Sequence, residues 1–125
     1  MRGGSAQTQR MNYKTARKFL IDQGTALLSQ KNPDAFLMLL RQGKRPIPGQ
    51  MTSLLLALKN TFDALQESPS LDRELIYALH RLAMDSRRAF EDGRRQGVAW
   101  PPLLAEDLER LERAVQSVFC GEWMD

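Results

Sequence analysis

The chain has 125 residues, 42% apolar and 26% charged, which suits one folded domain and argues against disorder over most of its length. Its longest apolar run, Ala35 to Leu40, has six residues, far short of the roughly 18–20 needed to cross a bilayer. A net charge of +3 hides a division: residues 1–50 carry nine Lys/Arg and two Asp/Glu, residues 51–125 nine and thirteen.

Residues 1–10 (MRGGSAQTQR) are glycine-rich, polar and without periodicity, and read as a flexible extension or a tag. From Met11 the apolar spacing is helical almost throughout. The spacing predicts a first helix over Tyr13–Gln30, capped by Asn12, with Tyr13, Ala16, Leu20, Gly24, Leu27 and Leu28 on one face. Gly24 costs that helix about 1 kcal/mol relative to alanine, which close approach of another helix would offset. A short second helix is expected over Pro33–Gln42, with Asn32 as cap and Pro33 at the first helical position. Its middle, AFLMLL, is apolar all round, so it is expected to be buried by this chain or by a second copy.

Gly43-Lys44-Arg45-Pro46-Ile47-Pro48-Gly49 then forms a stiff joint. The Gly-Lys pair resembles a phosphate-binding loop only superficially. That motif needs glycine five positions before Gly43 and a hydroxyl after Lys44, where Met38 and Arg45 stand. A third helix is expected over Gln50–Glu67, ended by Ser68-Pro69. The fourth and longest runs over Leu71–Gln96, with Ser70 as cap and Gly93 or Gly97 at its end. The fifth runs from Pro101 to Cys120, with Leu104, Leu108, Leu111, Val115, Val118 and Phe119 inward and Glu106–Arg110 and Glu109–Arg113 as surface pairs. Gly121 stops it, leaving residues 122–125 as a short tail. These five helices imply an all-α fold, a compact single-domain bundle over residues 11–121.

One histidine and one cysteine leave little catalytic chemistry to assemble, and the CxxC, HExxH and calcium-loop spacings are missing. The reading is therefore a non-enzyme with no metal and no cofactor. Neither a secretory pattern nor a membrane span is evident, and a single cysteine cannot form an internal disulfide. These features place the chain in the cytoplasm.

Tyr77, Arg81, Met84 and Arg88 recur at i, i+4, i+7 and i+11 on the outer face of the fourth helix. Tyr, Arg and Met favour protein interfaces, although an ordinary solvated face has the same pattern. Lys44 and Arg45 on the joint, and Trp100 ahead of Pro101-Pro102, are further candidates for partner contact. Each also has a plain structural role, as a charged spacer and as an aromatic closure of the bundle. His80 reads as a surface or packing residue. The expected function is thus a small adaptor or assembly factor with an unknown protein partner and no membrane, possible self-association resting on the apolar second helix. The alternative is nucleic-acid or polyanion binding through Lys14, Arg17, Lys18, Lys44, Arg45 and the fourth helix's Arg87, Arg88, Arg94 and Arg95. Asp85, Glu91 and Asp92 interrupt that last cluster, so this alternative ranks second.

The stretches NYKTARKFLIDQGTALLSQKNPDAFL, GKRPIPGQMTSLLLALK, LDRELIYALHRLA and WPPLL resemble a small helical family found in cyanobacteria, over most of Met11 to Phe119. Some members carry the label dethiobiotin synthetase. The resemblance implies a cyanobacterial cytoplasmic protein with no established activity and no catalytic residues to carry over. The label itself implies a much longer ATP-using phosphate-loop enzyme with an α/β sheet, and this chain lacks the loop, the strands and the length.

Overall fold

The computed structural model describes residues 11–124; the extension expected at 1–10 and Asp125 lie outside the described residues. Six helices follow in order, with no strand among the described residues: α1 Tyr13–Gly24, α2 Ala26–Ser29, α3 Phe36–Arg41, α4 Gln50–Leu65, α5 Arg73–Arg95 and α6 Leu104–Cys120. The fold is an all-α bundle, as the periodicity requires. None of these helices is long and apolar enough to cross a membrane.

The helix ends show where side-chain chemistry overrides periodicity. The Thr15 N–H donates to Asn12 Oδ1 at 2.9 Å, the cap expected for α1. The first helix does not reach Gln30, however. The Thr25 hydroxyl donates to the Ile21 carbonyl at 2.7 Å, the same oxygen that receives the Thr25 N–H. This back-bonding disturbs the ladder. The chain resumes as the single turn α2, ended by Gln30 at φ 54°, and Leu28 is turned out to solvent rather than inward.

Asn32 does not cap a helix at Pro33. Its Oδ1 accepts the Asp34 N–H and its carbonyl accepts the Ala35 N–H. Asn32-Pro33-Asp34 is therefore a local turn, and α3 begins three residues late at Phe36. Ala35, Phe36, Leu37, Met38, Leu39 and Leu40 are all buried by this chain. The apolar stretch consequently offers no open apolar face to a second copy, which removes the ground on which self-association was expected.

Two helices end in the same way. Gly43 is left-handed at φ 75°, with Lys44 N–H bonded to Leu39 O and Gly43 N–H to Leu40 O. Gly97 at φ 89° repeats the pattern, with Val98 N–H to Gly93 O and Gly97 N–H to Arg94 O. These paired bonds satisfy the last carbonyls of α3 and α5. The Gln50 side chain fixes the joint between α3 and α4, accepting from Ile47 N–H at 3.1 Å and donating to Asp34 O at 3.0 Å.

Asp72, not Ser70, caps α5, accepting from the Glu74 N–H at 3.1 Å. Arg17 of α1 reaches the same carboxylate at 2.5 Å and Glu74 at 3.0 Å. Arg17 thus links the basic half of the sequence to the acidic half inside one molecule. α1 packs on α4 and α5, α6 packs on α4 and α5, and α3 packs on α5. Leu20, Phe36, Leu37, Leu54, Leu58, Leu79 and Leu108 are fully buried between these elements.

α5 supports α1, α3 and α6, and at Gly24 α1 lies against its backbone. A Cβ at Gly24 would lie 2.6 Å from the carbonyl carbon of Ala78 and 2.9 Å from its Cα. The sequence expectation of a helix crossing at Gly24 is met. Gly93, in contrast, lies inside α5 and not at its end. The Trp100 ring fills the space a side chain would need there, stacked on Phe90 at 5.9 Å, while its Nε1–H donates to Phe90 O at 3.0 Å.

The tail folds back. Met124 N–H donates to the fully buried Ser117 Oγ at 2.7 Å. Trp123 lies against Phe62 with ring centres 5.3 Å apart, and Lys59 Nζ sits 4.8 Å from the Trp123 ring centre.

Candidate functional site

α5 is amphipathic and longer than the neighbours that cover it. Leu75, Ala78, Leu79, Leu82 and Phe90 face the core. The opposite stripe faces outward between α5 and the antiparallel α6. Two shallow grooves run along this seam. One, of about 610 Å³, is lined by His80, Ala83, Met84, Arg88, Val115 and Phe119 among others. The other, of about 640 Å³, is lined by Leu71, Arg73, Ile76, Tyr77, His80 and Phe119 among others. Sharing His80 and Phe119, they form one continuous trough.

Its floor is apolar and open. Tyr77 is 48% exposed, Met84 43% and Phe119 39%. Phe119 was expected inward and is not. The α6 stripe Leu104, Leu108, Leu111, Val115, Val118 is complete without it, and Phe119 lies about 100° round the helix from Val118. The signal was available: an aromatic one step past a finished stripe lies at its edge. Tyr77, Met84 and Phe119 each have about half of a large side chain in water. At about 25 cal/mol per Å² and roughly 150–250 Å² per aromatic side chain, covering one yields about 2 kcal/mol. Three such residues barely exceed the lower end of the 4–15 kcal/mol entropic cost of association. Three residues alone would therefore hold nothing tightly; stable association on this face would need contact along much of the trough.

The arginines in and beside the trough divide into two groups. Arg87 ties α5 to α6 through Glu112 at 2.9 Å and leans toward Glu91 at 3.8 Å. Arg94 holds Glu91 at 2.5 Å, and Arg95 holds Asp92. Arg81 also looks inward. Its Nη1 donates to Tyr77 Oη at 3.2 Å, and its Nη2 lies 2.9 Å from Oδ2 of the buried Asp85. That last approach is poorly aligned, so Asp85 Oδ2 is ion-paired without a directed hydrogen bond. The Tyr77 hydrogen bond does most to push the Arg81 guanidinium above its ordinary value; burial opposes it and the Asp85 charge adds to it. Arg81 thus braces the Tyr77 ring. Arg73 and Arg88 form the second group: both are exposed, and neither has a carboxylate partner among the described residues.

The remaining sequence candidates lie elsewhere. Lys44 and Arg45 are exposed on the joint, and Arg45 lines a separate groove with Pro46, Ile47, Pro101 and Leu103. Trp100 is half-buried between Phe90 and Gly93. The structure brings Tyr77, Met84 and Arg88 together and leaves Lys44, Arg45 and Trp100 apart from them. Of the proposed polyanion set, Arg17, Lys18, Arg87, Arg94 and Arg95 each sit on a carboxylate of this chain. Among the described residues no group of three or more His, Cys, Asp or Glu is placed to hold a metal.

Comparison with protein-family models, with curated proteins and with solved structures returns no match.

Proposed function

We propose that the protein is a non-enzymatic helical interaction module, a small adaptor or assembly factor, that engages another protein along the α5–α6 trough. The observation that carries this reading is the open apolar floor made by Tyr77, Met84 and Phe119. The nearby polar groups support it too. Arg81, Asp85, Arg87 and Glu112 pair with one another and brace the surface, where a catalytic site would aim them at a common point. The exposed thiol of Cys120 is in keeping with a reducing compartment, and the cytoplasm is the proposed location. The cyanobacterial resemblance would add a source and no activity.

Photo-crosslinking in the native cell tests the reading. Benzoylphenylalanine at position 77 or 84 should give a discrete heavier adduct, and the same group at Leu28, an exposed leucine outside the trough, should not. Adducts at position 28 alone, or none at 77 and 84, would reject the trough as the site. The polyanion alternative is checked by titrating random duplex DNA at low salt; no binding there removes it.

A further inference from the structure

Resting on that reading, we infer that the occupant of the trough is an amphipathic helix of a different protein, whose apolar stripe is bracketed by carboxylates about four turns apart.

The helical form follows from the shape of the seam. The trough lies between two antiparallel helices, where a third helix can set its ridge of side chains into the groove. Tyr77 and Met84 are seven positions apart on α5, and Phe119 faces them from α6. An apolar stripe at i, i+3, i+4, i+7 matches that spacing.

The charge follows from which cations remain unsatisfied. Glu91, Asp92 and Glu112 of the trough already face Arg94, Arg95 and Arg87. Arg73 and Arg88 do not face an acid among the described residues, and both line the trough. They are fifteen residues apart on one helix, which at 1.5 Å per residue is about 22 Å, just over four turns. Fifteen steps of 100° bring Arg88 to within about 60° of Arg73 round the helix. Tyr77, His80 and Met84 fall between them. The trough is thus an apolar floor with an open positive charge toward each end. A partner carboxylate at each end meets those charges, and a lysine at either end is repelled.

The same arithmetic disfavours a second copy of this chain. Antiparallel pairing of two α5 helices about Met84 sets Arg73 opposite Arg95 and His80 opposite Arg88. A two-fold interface in that register therefore gives Arg73 and Arg88 no acid to meet, Arg95 being already held by Asp92.

Three synthetic stapled helical peptides of roughly 20 residues, about 30 Å long, test the inference. They share one leucine stripe and differ only at the two flanking positions, which carry Glu, Gln or Lys. Binding to the full chain is followed by amide chemical-shift changes. The Glu peptide should shift resonances around Tyr77, Met84 and Phe119 and bind at least tenfold more tightly than the Lys peptide, with Gln between them. Arg88→Glu, and separately Arg73→Glu, should shrink or invert that order without changing the helical signal of the protein. Equal binding of all three peptides to this face would leave the interaction reading standing and overturn the acidic assignment. No shift on this face with any peptide, together with no crosslinks at 77 and 84, would overturn both. A concentration-dependent dimer abolished by Met84→Glu, or a salt-sensitive DNA complex that shifts these same resonances, would also overturn the assignment.

Discussion

Replacing Gly24 with alanine isolates the contact on which the bundle is built. In an exposed helix the change would stabilise by about 1 kcal/mol, because alanine loses less backbone freedom than glycine. Here the added Cβ would stand 2.6 Å from the Ala78 carbonyl carbon and 2.9 Å from its Cα. The obstacle is backbone in the second turn of α5, held by helical hydrogen bonds, and has no rotamer to change. α1 would have to move outward by about an ångström, and a gap of that size forfeits a quarter to a half of each dispersion contact it opens. Ala16 and Leu20, both fully buried on α1, would lose such contacts. Overpacking costs about 1–3 kcal/mol, and an unyielding neighbour puts this site at the upper end. Net of the propensity gain, Gly24→Ala should destabilise by about 2 kcal/mol, or roughly 6–10 °C in Tm. Urea unfolding followed by far-ultraviolet circular dichroism measures it, with an unchanged slope showing that the unfolded state is unaltered. A variant as stable as the parent would mean that α1 and α5 are not in contact at Gly24, and the helix arrangement would be wrong.

Gly93→Ala meets a side chain instead of backbone, with Trp100 Cζ2 2.5 Å from the new Cβ. The indole can swing away at the expense of its bond to Phe90 O, so the loss should be about 1 kcal/mol, with red-shifted Trp100 emission in a Trp123→Phe background. Thr61 is fully buried and its hydroxyl has no hydrogen-bond partner. Thr61→Val should therefore stabilise by about 1 kcal/mol in the same urea assay. The Arg17 hydrogen bond, first among the causes, holds the Asp72 carboxyl below its ordinary value of 3.8. A depressed folded-state value means that the stabilisation is full above about pH 4 and is lost as pH falls through the lower value. Between pH 6 and pH 2.5 the parent should lose more stability than Arg17→Gln, and equal losses would show the pair to be inert.

The long helices and their buried faces were legible because period and caps agree. Asn12 caps α1, Gly43 and Gly121 are left-handed at helix ends, and Gly24 lies at a crossing. The outward stripe of Tyr77, Met84 and Arg88 was legible too, since the α5 core stripe is complete without it. Errors arose where a short polar side chain competed for a backbone group. Thr25 broke a helix, Asn32 turned the chain before α3, and Asp72 displaced Ser70 as a cap because Arg17 fixes it from another helix. Arg110 similarly pairs with Asp107 at 3.6 Å instead of the expected Glu106. Phe119 was legible as the residue one step past the finished α6 stripe, whereas Arg81 required knowing that Asp85 is buried, a tertiary fact that a single-helix pattern does not contain.

The seat of Gly24 on Ala78 also dictates an order of events during synthesis. The two positions lie fifty-four residues apart, 78 minus 24, so α1 leaves the ribosome long before its supporting surface exists. α1 and α4 pack on each other, but each also buries apolar surface against α5 or α6, and α3 packs chiefly on α5. Part of each apolar face therefore stays uncovered on the nascent chain until α5 is made. A polypeptide stopped ahead of Arg73 would be a substrate for chaperones and proteases rather than a smaller version of this protein. Nonsense changes ahead of Arg73 should accordingly abolish the protein outright, with no partial fragment accumulating.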